Sequence, residues 1–349
     1  MVTEIFSVDE QHISEEIIRR AGEVIRKGGL VAFPTETVYG LGGDALNPES
    51  ARKIYAAKGR PSDNPLIVHI ADREALTSIA SEIPEAAGRL ADAFWPGPLT
   101  MILRKEEKVP YETTGGLDTV AVRMPSHKTA LAFIRAAGGY VAAPSANRSG
   151  RPSPTSAEYV KEDLSGKIEM ILDGGPVEIG LESTIVDLTE EIPVILRPGF
   201  ITRDMLEKVL QSVEVDRTIL SDDSGQVPRA PGMKYRHYAP DGELIIIAGT
   251  SEQVIVYINE QTEILRRQGH KVGVIATDET AGYYTGDVIK SVGSRTDEES
   301  IARRLYRILR EFDDAGATDI FSESFEAKGM GQAVMNRLLK AAGHRIIFL

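Results

Sequence analysis

Two cations, Lys58 and Arg60, share the stretch Lys58-Gly59-Arg60-Pro61-Ser62-Asp63-Asn64-Pro65, which two prolines and a glycine keep out of regular structure. Arg123, Arg148, Arg151 and Arg197 stand at or just beyond the ends of stretches that read as strands. Lysine offers phosphate a point charge and arginine adds a bidentate fork. Converging on one sheet rim, these cations would form a polyphosphate pocket; taken singly, each is an ordinary exposed charge. The pattern G-x-x-x-x-G-K-[ST] is absent, so the pocket is not a P-loop.

Hydroxyls accompany the cations. Thr35, Thr37, Ser145, Ser183 and Thr184 all border predicted strands. A serine nucleophile would need a G-x-S-x-G elbow and a partner base, and Pro144-Ser145-Ala146 supplies neither. Binding an amino-acid or phosphate group suits these residues better, with capping of backbone groups as the structural alternative. The histidines (His12, His69, His127, His237, His270 and His344) show no metal-binding spacing, and only His69 and His237 fall inside motif-like stretches. With no cysteine in the chain, disulfides, thiolate metal sites and thiol nucleophiles are excluded.

The elements that must position these groups alternate. Ser14–Lys27 has helical spacing, with Ser14 as N-cap and Gly28-Gly29 as stop. Leu30–Phe33 reads as a strand ended by Pro34, and Gly40, Gly42 and Gly43 read as a permissive, ligand-approaching loop with access to φ > 0. A helix opens at Asn47-Pro48 and stops near Ala57. Strands follow at Leu66–Ile70, Leu99–Leu103, Thr119–Met124, Tyr140–Ala143, Ser183–Leu188 and Val194–Arg197, with a helix over Lys128–Ala137. Nearly every strand hands over to a polar loop, as in an α/β domain with a binding rim. After a polar stretch at Val213–Gln226, strands at Leu244–Ala248, Val272–Ala276 and Asp319–Phe321 alternate with helices at Gln253–Gln268, Glu298–Phe312 and Gln332–Ala342. That is a small Rossmann-like domain, and without G-x-G-x-x-G it should hold no dinucleotide.

A chain of 349 residues with 42% hydrophobic content is expected to form two globular domains. The net charge of −12 disfavours nucleic-acid gripping as the main task. No apolar run suits a membrane span, and the first residues lack the basic and apolar regions of a secretory signal, so a cytoplasmic location without membrane contact is expected.

Seven stretches in order, and the linker after them, resemble the threonylcarbamoyl-adenylate synthase family. They are F-P-T-E-T-V-Y-G-L at Phe33–Leu41, K-G-R-P with N-P-L at Lys58–Leu66, and W-P-G-P-L-T at Trp95–Thr100. V-R-M-P follows at Val122–Pro125, A-P-S-A-N-x-S-G at Ala143–Gly150, E-S-T-I-V-D at Glu182–Asp187 and R-P-G at Arg197–Gly199. The linker P-G-M-K-Y-R-H-Y-A-P at Pro231–Pro240 matches the long form of the family. The resemblance implies an α/β fold: a YrdC-type twisted mixed-sheet catalytic domain over 1–210, a linker over 211–240 and a Rossmann-like domain over 241–349.

It also implies a nucleotidyltransferase that condenses L-threonine, bicarbonate and ATP into threonylcarbamoyl-adenylate, pyrophosphate and water. This is the first step of tRNA threonylcarbamoyladenosine modification, and the product passes to downstream tRNA threonylcarbamoyl transferase proteins. By the same resemblance Lys58 and Arg60 are catalytic, and Lys58, Arg60, Ser62, Ser145, Arg151 and Arg197 hold ATP, helped by the backbones of Thr119 and Ala143. Thr35, His69, Arg123 and Ser183 hold threonine. Mg²⁺ arrives with ATP, without protein ligands. The linker would be a lid that shields a labile carbamate, with Tyr235 or Tyr238 reaching the nucleotide, or it merely docks on the second domain.

Three rival readings stand beside this one. A carbamoyl-adenylate-forming carbamoyltransferase shares the YrdC-type domain, but adds Cys-rich zinc modules that a chain without cysteine lacks. An RNA-binding module would use the double-stranded-RNA-binding character of that fold, leaving direct tRNA binding weak in so acidic a chain. A scaffold role is open to the second domain alone.

Overall fold

A computed structural model describes residues 2–219, 230, 238–326 and 328–349. The chain separates into two compact units, Met1–Ser149 with Ser153–Tyr235, and Gly150–Pro152 with Arg236–Leu349.

The strands of the first unit are β1 (Glu4–Ser7), β2 (Val31–Phe33), β3 (Gly40–Asp44), β4 (Ile67–His69), β5 (Leu99–Arg104), β6 (Thr119–Arg123), β7 (Val141–Ala143), β8 (Met170–Asp173), β9 (Thr184–Asp187), β10 (Val194–Arg197) and β11 (Glu214–Val215). They form one mixed sheet in the order β1-β8-β2-β3-β7-β4-β6-β5-β9-β10-β11. Its helices are α1 (Glu15–Arg26), α2 (Pro48–Lys58), α3 (Glu85–Phe94), α4 (Tyr111–Thr114), α5 (Lys128–Ala136), α6 (Ala157–Leu164) and α7 (Arg203–Glu207).

Local signals fix the helices that matter to the site. Ser14 caps α1 by accepting the Ile17 amide, and Asn47 caps α2, whose first residue is Pro48. Gly59 ends α2 in the left-handed conformation, at φ 62°. α1 and α5 cross closely because residue 22 is glycine: a Cβ there would lie 2.4 Å from the Ala136 carbonyl oxygen.

Apolar side chains are segregated by face. Ile18, Ala21 and Ile25 of α1 and Phe133 and Ile134 of α5 pack with Val31, Phe33, Val141 and Ala143 on one face. The opposite face joins Ala32, Leu41, Val68, Met101, Val122 and Val186 to residues of α2, α3 and α6. A further cluster, Ile67, Ile102, Ala121, Ile185 and Leu196 with Ala230, draws its other members from strands alone.

The glycine-rich stretch after Phe33 departs from expectation. Gly40, Gly42 and Gly43 belong to β3, antiparallel to β2 and β7, and none has a positive φ. They answer to crowding instead. A Cβ on Gly42 would sit 2.8 Å from Val141 Cγ1, and one on Gly40 would sit 3.0 Å from the Phe33 ring. Within the segment expected as a linker over 211–240, Glu214–Val215 forms β11 and adds a parallel edge to β10.

The second unit holds β12 (Glu243–Ala248), β13 (Val272–Ala276), β14 (Val288–Ser291), β15 (Asp319–Glu323) and β16 (Ile346–Phe348), with α8 (Ser251–Arg267), α9 (Glu298–Asp314) and α10 (Gly331–Ala341). All its strand pairs are parallel, as expected of a Rossmann-like α/β domain, but the order β14-β13-β15-β12-β16 sets β15 between β13 and β12, where the Rossmann order would pair those two directly. No helix among the described residues is long and apolar enough to cross a membrane.

Candidate active site

Strand register lines up the central residues of the site. Thr100 of β5 is opposite Arg123 of β6, Arg123 is opposite His69 of β4, and His69 is opposite Val141 of β7. Residues paired in this way share a sheet face. Two residues back along β4 and β6, and two residues on along the antiparallel β7, Ile67, Ala121 and Ala143 form a second row on that face, about 7 Å away. The polar row and its apolar neighbour therefore lie across a sheet face, not only at the rim expected from the strand ends.

The turn between β2 and β3 closes over the polar row. Thr35 Oγ1 lies 2.9 Å from Thr37 Oγ1, donates to the Val38 carbonyl (2.7 Å) and accepts the amides of Thr37 and Val38. Arg123 donates from Nη1 to Thr37 Oγ1 (2.9 Å) and from Nε to the Gly97 carbonyl (3.4 Å), while Nη2 lies 2.7 Å from Glu36 Oε1. His69 is buried, edge-on to Phe33 at 5.9 Å, and bonded through Nδ1 to the Ile67 carbonyl. Burial, seconded by the Arg123 charge, holds its imidazole neutral by pushing its pKa down to about 3.

β9 and β10 bring up the other side. Thr100 Oγ1 is 2.7 Å from Ser183 Oγ, and Arg197 donates to Ser183 through both Nε, to the carbonyl (3.0 Å), and Nη2, to the hydroxyl (3.1 Å). Gly199 permits this approach, since a Cβ there would lie 2.5 Å from the Thr184 amide nitrogen. The neighbouring Glu182 accepts the Ser153 hydroxyl at 2.5 Å.

Lys58 ends α2 almost fully buried, with Nζ donating to the carbonyls of Ser145 and Asn147 and to Asn147 Oδ1 (3.3 Å). The Ser145 hydroxyl also donates to Asn147 Oδ1. Arg60 is half-buried and turns back onto the carbonyls of Asn64 (3.2 Å) and Pro65 (3.1 Å), while Ser62 is exposed. Thr119 opens β6 on the same face as Ala121, and Ala143 closes β7.

The structure thus buries Thr35, His69, Arg123 and Ser183 near one another, Thr35 reaching Arg123 through Thr37, His69 and Thr100 flanking Arg123 in register and Ser183 bonding Thr100, and it joins Lys58 to Ser145. Arg60 and Ser62 lie on the loop that enters β4. Arg148 is exposed. Arg151 and Tyr238 belong to the second unit: Arg151 Nη2 lies 3.3 Å from Asp313 Oδ2, and the buried Tyr238 stacks on Tyr306 with centroids 5.0 Å apart. Tyr235 lies outside the described residues, as does most of the expected lid. Sequence reasoning assigned no role to Glu36, Thr100 or Asn147. Each stands inside one of the family-like motifs, so proximity in the chain is the available signal.

Residues 23–199 match the family described as Telomere recombination, and residues 201–343 match the Threonylcarbamoyl-AMP synthase, C-terminal domain. The threonylcarbamoyl-AMP synthase of Pyrococcus abyssi is 51% identical over 346 residues, 99% of either chain. That of Bacillus subtilis is 49% identical over 340 residues, covering 97% of this chain and 96% of its own. A crystal structure of P. abyssi Sua5 complexed with L-threonine superposes with a TM-score of 0.94 at 50% identity, covering 99% of this chain and all (100%) of its own. The chain belongs to the threonylcarbamoyl-AMP synthase family.

Proposed function

We propose that this chain makes threonylcarbamoyl-adenylate and pyrophosphate from L-threonine, bicarbonate and ATP, the first step of tRNA threonylcarbamoyladenosine modification. The observation that carries the reading is the buried guanidinium of Arg123, set among a neutral imidazole and the hydroxyls of Thr37 and Thr100. Such a set of groups suits a small hydroxylated amino acid, and the relative's L-threonine complex supports that choice. ATP would lie towards Lys58, Arg60, Ser62 and Ser145, with Thr119, Ala143 and Arg197 completing its contacts in the first unit.

No protein nucleophile is needed. The threonine amine, having lost its extra proton, attacks the carbon of bicarbonate, water leaves as the C–N bond forms, and the resulting carbamate oxygen displaces pyrophosphate from the α-phosphorus of ATP. The protein's share is placement and charge, which can supply about 7–11 kcal/mol of the barrier. Mg²⁺ enters with ATP as part of the substrate. The adenylate then passes to a tRNA threonylcarbamoyl transferase.

The test is pyrophosphate release from ATP and bicarbonate with L-threonine, L-serine or no amino acid, with and without a Mg²⁺ chelator. Release should need threonine and Mg²⁺, and should be lost in folded Lys58→Ala and Arg60→Ala proteins. Release driven by carbamoyl phosphate instead would overturn the proposal.

A further inference from the structure

Glu36 is the least satisfied charge in the first unit's polar network. Its side chain and that of Arg123 are each only 5% exposed, and Oε1 lies 2.7 Å from Nη2. Yet the two groups are misaligned, so neither carboxylate oxygen nor Nη2 has a hydrogen-bond partner. A buried carboxylate ordinarily collects amide or hydroxyl donors. Here the nearby donors are already committed. Thr35 and Thr37 bond one another, and Nη1 of Arg123 goes to Thr37. Glu36 is thus held by charge attraction alone, which a better-aligned carboxylate can replace.

An amino acid brings that carboxylate. It also brings an ammonium group that must be neutralised once out of water. The buried groups around Arg123 are poorly suited to receive it. His69 is neutral, Arg197 is a cation, and Glu182 already accepts the Ser153 hydroxyl. His127 stands within electrostatic range of Glu36, Glu10 and Glu178, and has its own partner in Glu10 at 3.0 Å. Glu36 remains.

Resting on the function proposed above, we propose that Glu36 holds the substrate's place on Arg123 before the amino acid binds, yields it to the incoming α-carboxylate, and then receives the α-ammonium group. Exchange of partners makes the site select zwitterions. A ligand without the amine displaces Glu36 and strands it in the interior. A ligand without the carboxylate cannot displace it at all.

The test is calorimetric binding of L-threonine, of 2,3-dihydroxybutanoate (hydroxyl for amine) and of L-threonine amide to the full-length wild type and to Glu36→Gln and Glu36→Asp. The wild type should prefer threonine to either analogue by about 100-fold or more. Glu36→Gln should weaken threonine by about 10–100-fold and leave dihydroxybutanoate unchanged or tighter. Glu36→Asp should restore part of the preference. A purely structural Glu36 would scale all ligands alike, so a preference ratio kept within threefold in Glu36→Gln overturns the inference. Wild-type affinity for dihydroxybutanoate within threefold of threonine does the same without any variant. Threonine-dependent pyrophosphate release with an unchanged ratio sinks this inference alone, whereas a wild type that binds no threonine sinks the proposed function as well.

Discussion

Replacing Lys58 by methionine keeps the apolar stem that packs at the end of α2 and removes the ammonium. The carbonyls of Ser145 and Asn147 and the Asn147 amide oxygen then lose a donor together. A charge-assisted bond of this kind contributes about 1.5–3 kcal/mol. Ser145 is only half-buried, so water recovers part of its share, and a net loss of about 2–4 kcal/mol is expected. For a unit of this size, that lowers the melting temperature by about 5–10 °C. If Lys58 also faces the nucleotide's phosphates, kcat should fall by about 100–1,000-fold in protein that is still folded. Lys58→Arg restores the charge without fitting the carbonyl cage, so it should recover some activity and little stability. The two readouts are a thermal melt and pyrophosphate release measured well below the first transition. An unshifted melt would refute the cage argument. A Met variant with a third of wild-type activity would refute the phosphate role.

Three further outcomes follow from other contacts. His69 stays neutral when folded down to about pH 3, while the unfolded chain takes up its proton near 6.5. The unfolded state therefore binds more protons across that window, and stability should fall as pH drops, by up to about 1.4 kcal/mol per pH unit. Urea melts at pH 7 and pH 5 should differ less in His69→Gln than in the wild type. Gly199→Ala would push a Cβ onto the Thr184 amide and the Glu182 carbonyl (2.8 Å), forcing the R-P-G turn away and Arg197 with it. A loss of about 1–3 kcal/mol with a raised KM is expected, and an unchanged KM would count against it. Arg310→Met removes both donors, Nε (3.1 Å) and Nη2 (2.6 Å), from the Pro152 carbonyl and should cost the second unit about 1–3 kcal/mol, read as a shifted melt.

Much of the fold was legible because local signals and periodicity agreed. The caps of α1 and α2, the apolar run of β5 and the stripe of α9 all say the same thing at each level. β3 was not legible. Its three glycines look like a flexible loop, and only the presence of Phe33 and Val141 beside them shows that they are there for want of room. β8 was also missed, although Ile168–Leu172 is nearly all apolar, and its partners β1 and β2 lie far off in the chain. In the site, residue types and motifs marked the arginines and hydroxyls. What they touch is non-local: Thr100 meets Ser183 across eighty-three positions, and the Arg123–Glu36 pair exists only once β6 and the β2–β3 turn are brought together.

The second unit is discontinuous in sequence, and this changes what a boundary means in this protein. Gly150–Pro152 is numbered with the first unit's motifs but is fastened in the second: Gly150 accepts the Ala239 amide (2.9 Å), Arg151 meets Asp313, and Pro152 is held by Arg310. A protease cut in the linker would therefore leave the C-terminal fragment without three of its own residues. A chimaera that exchanged the second domain from residue 241 onward would inherit foreign partners for the same tripeptide. Exchange between relatives should succeed only when residues 150–152 travel with positions 239, 310 and 313.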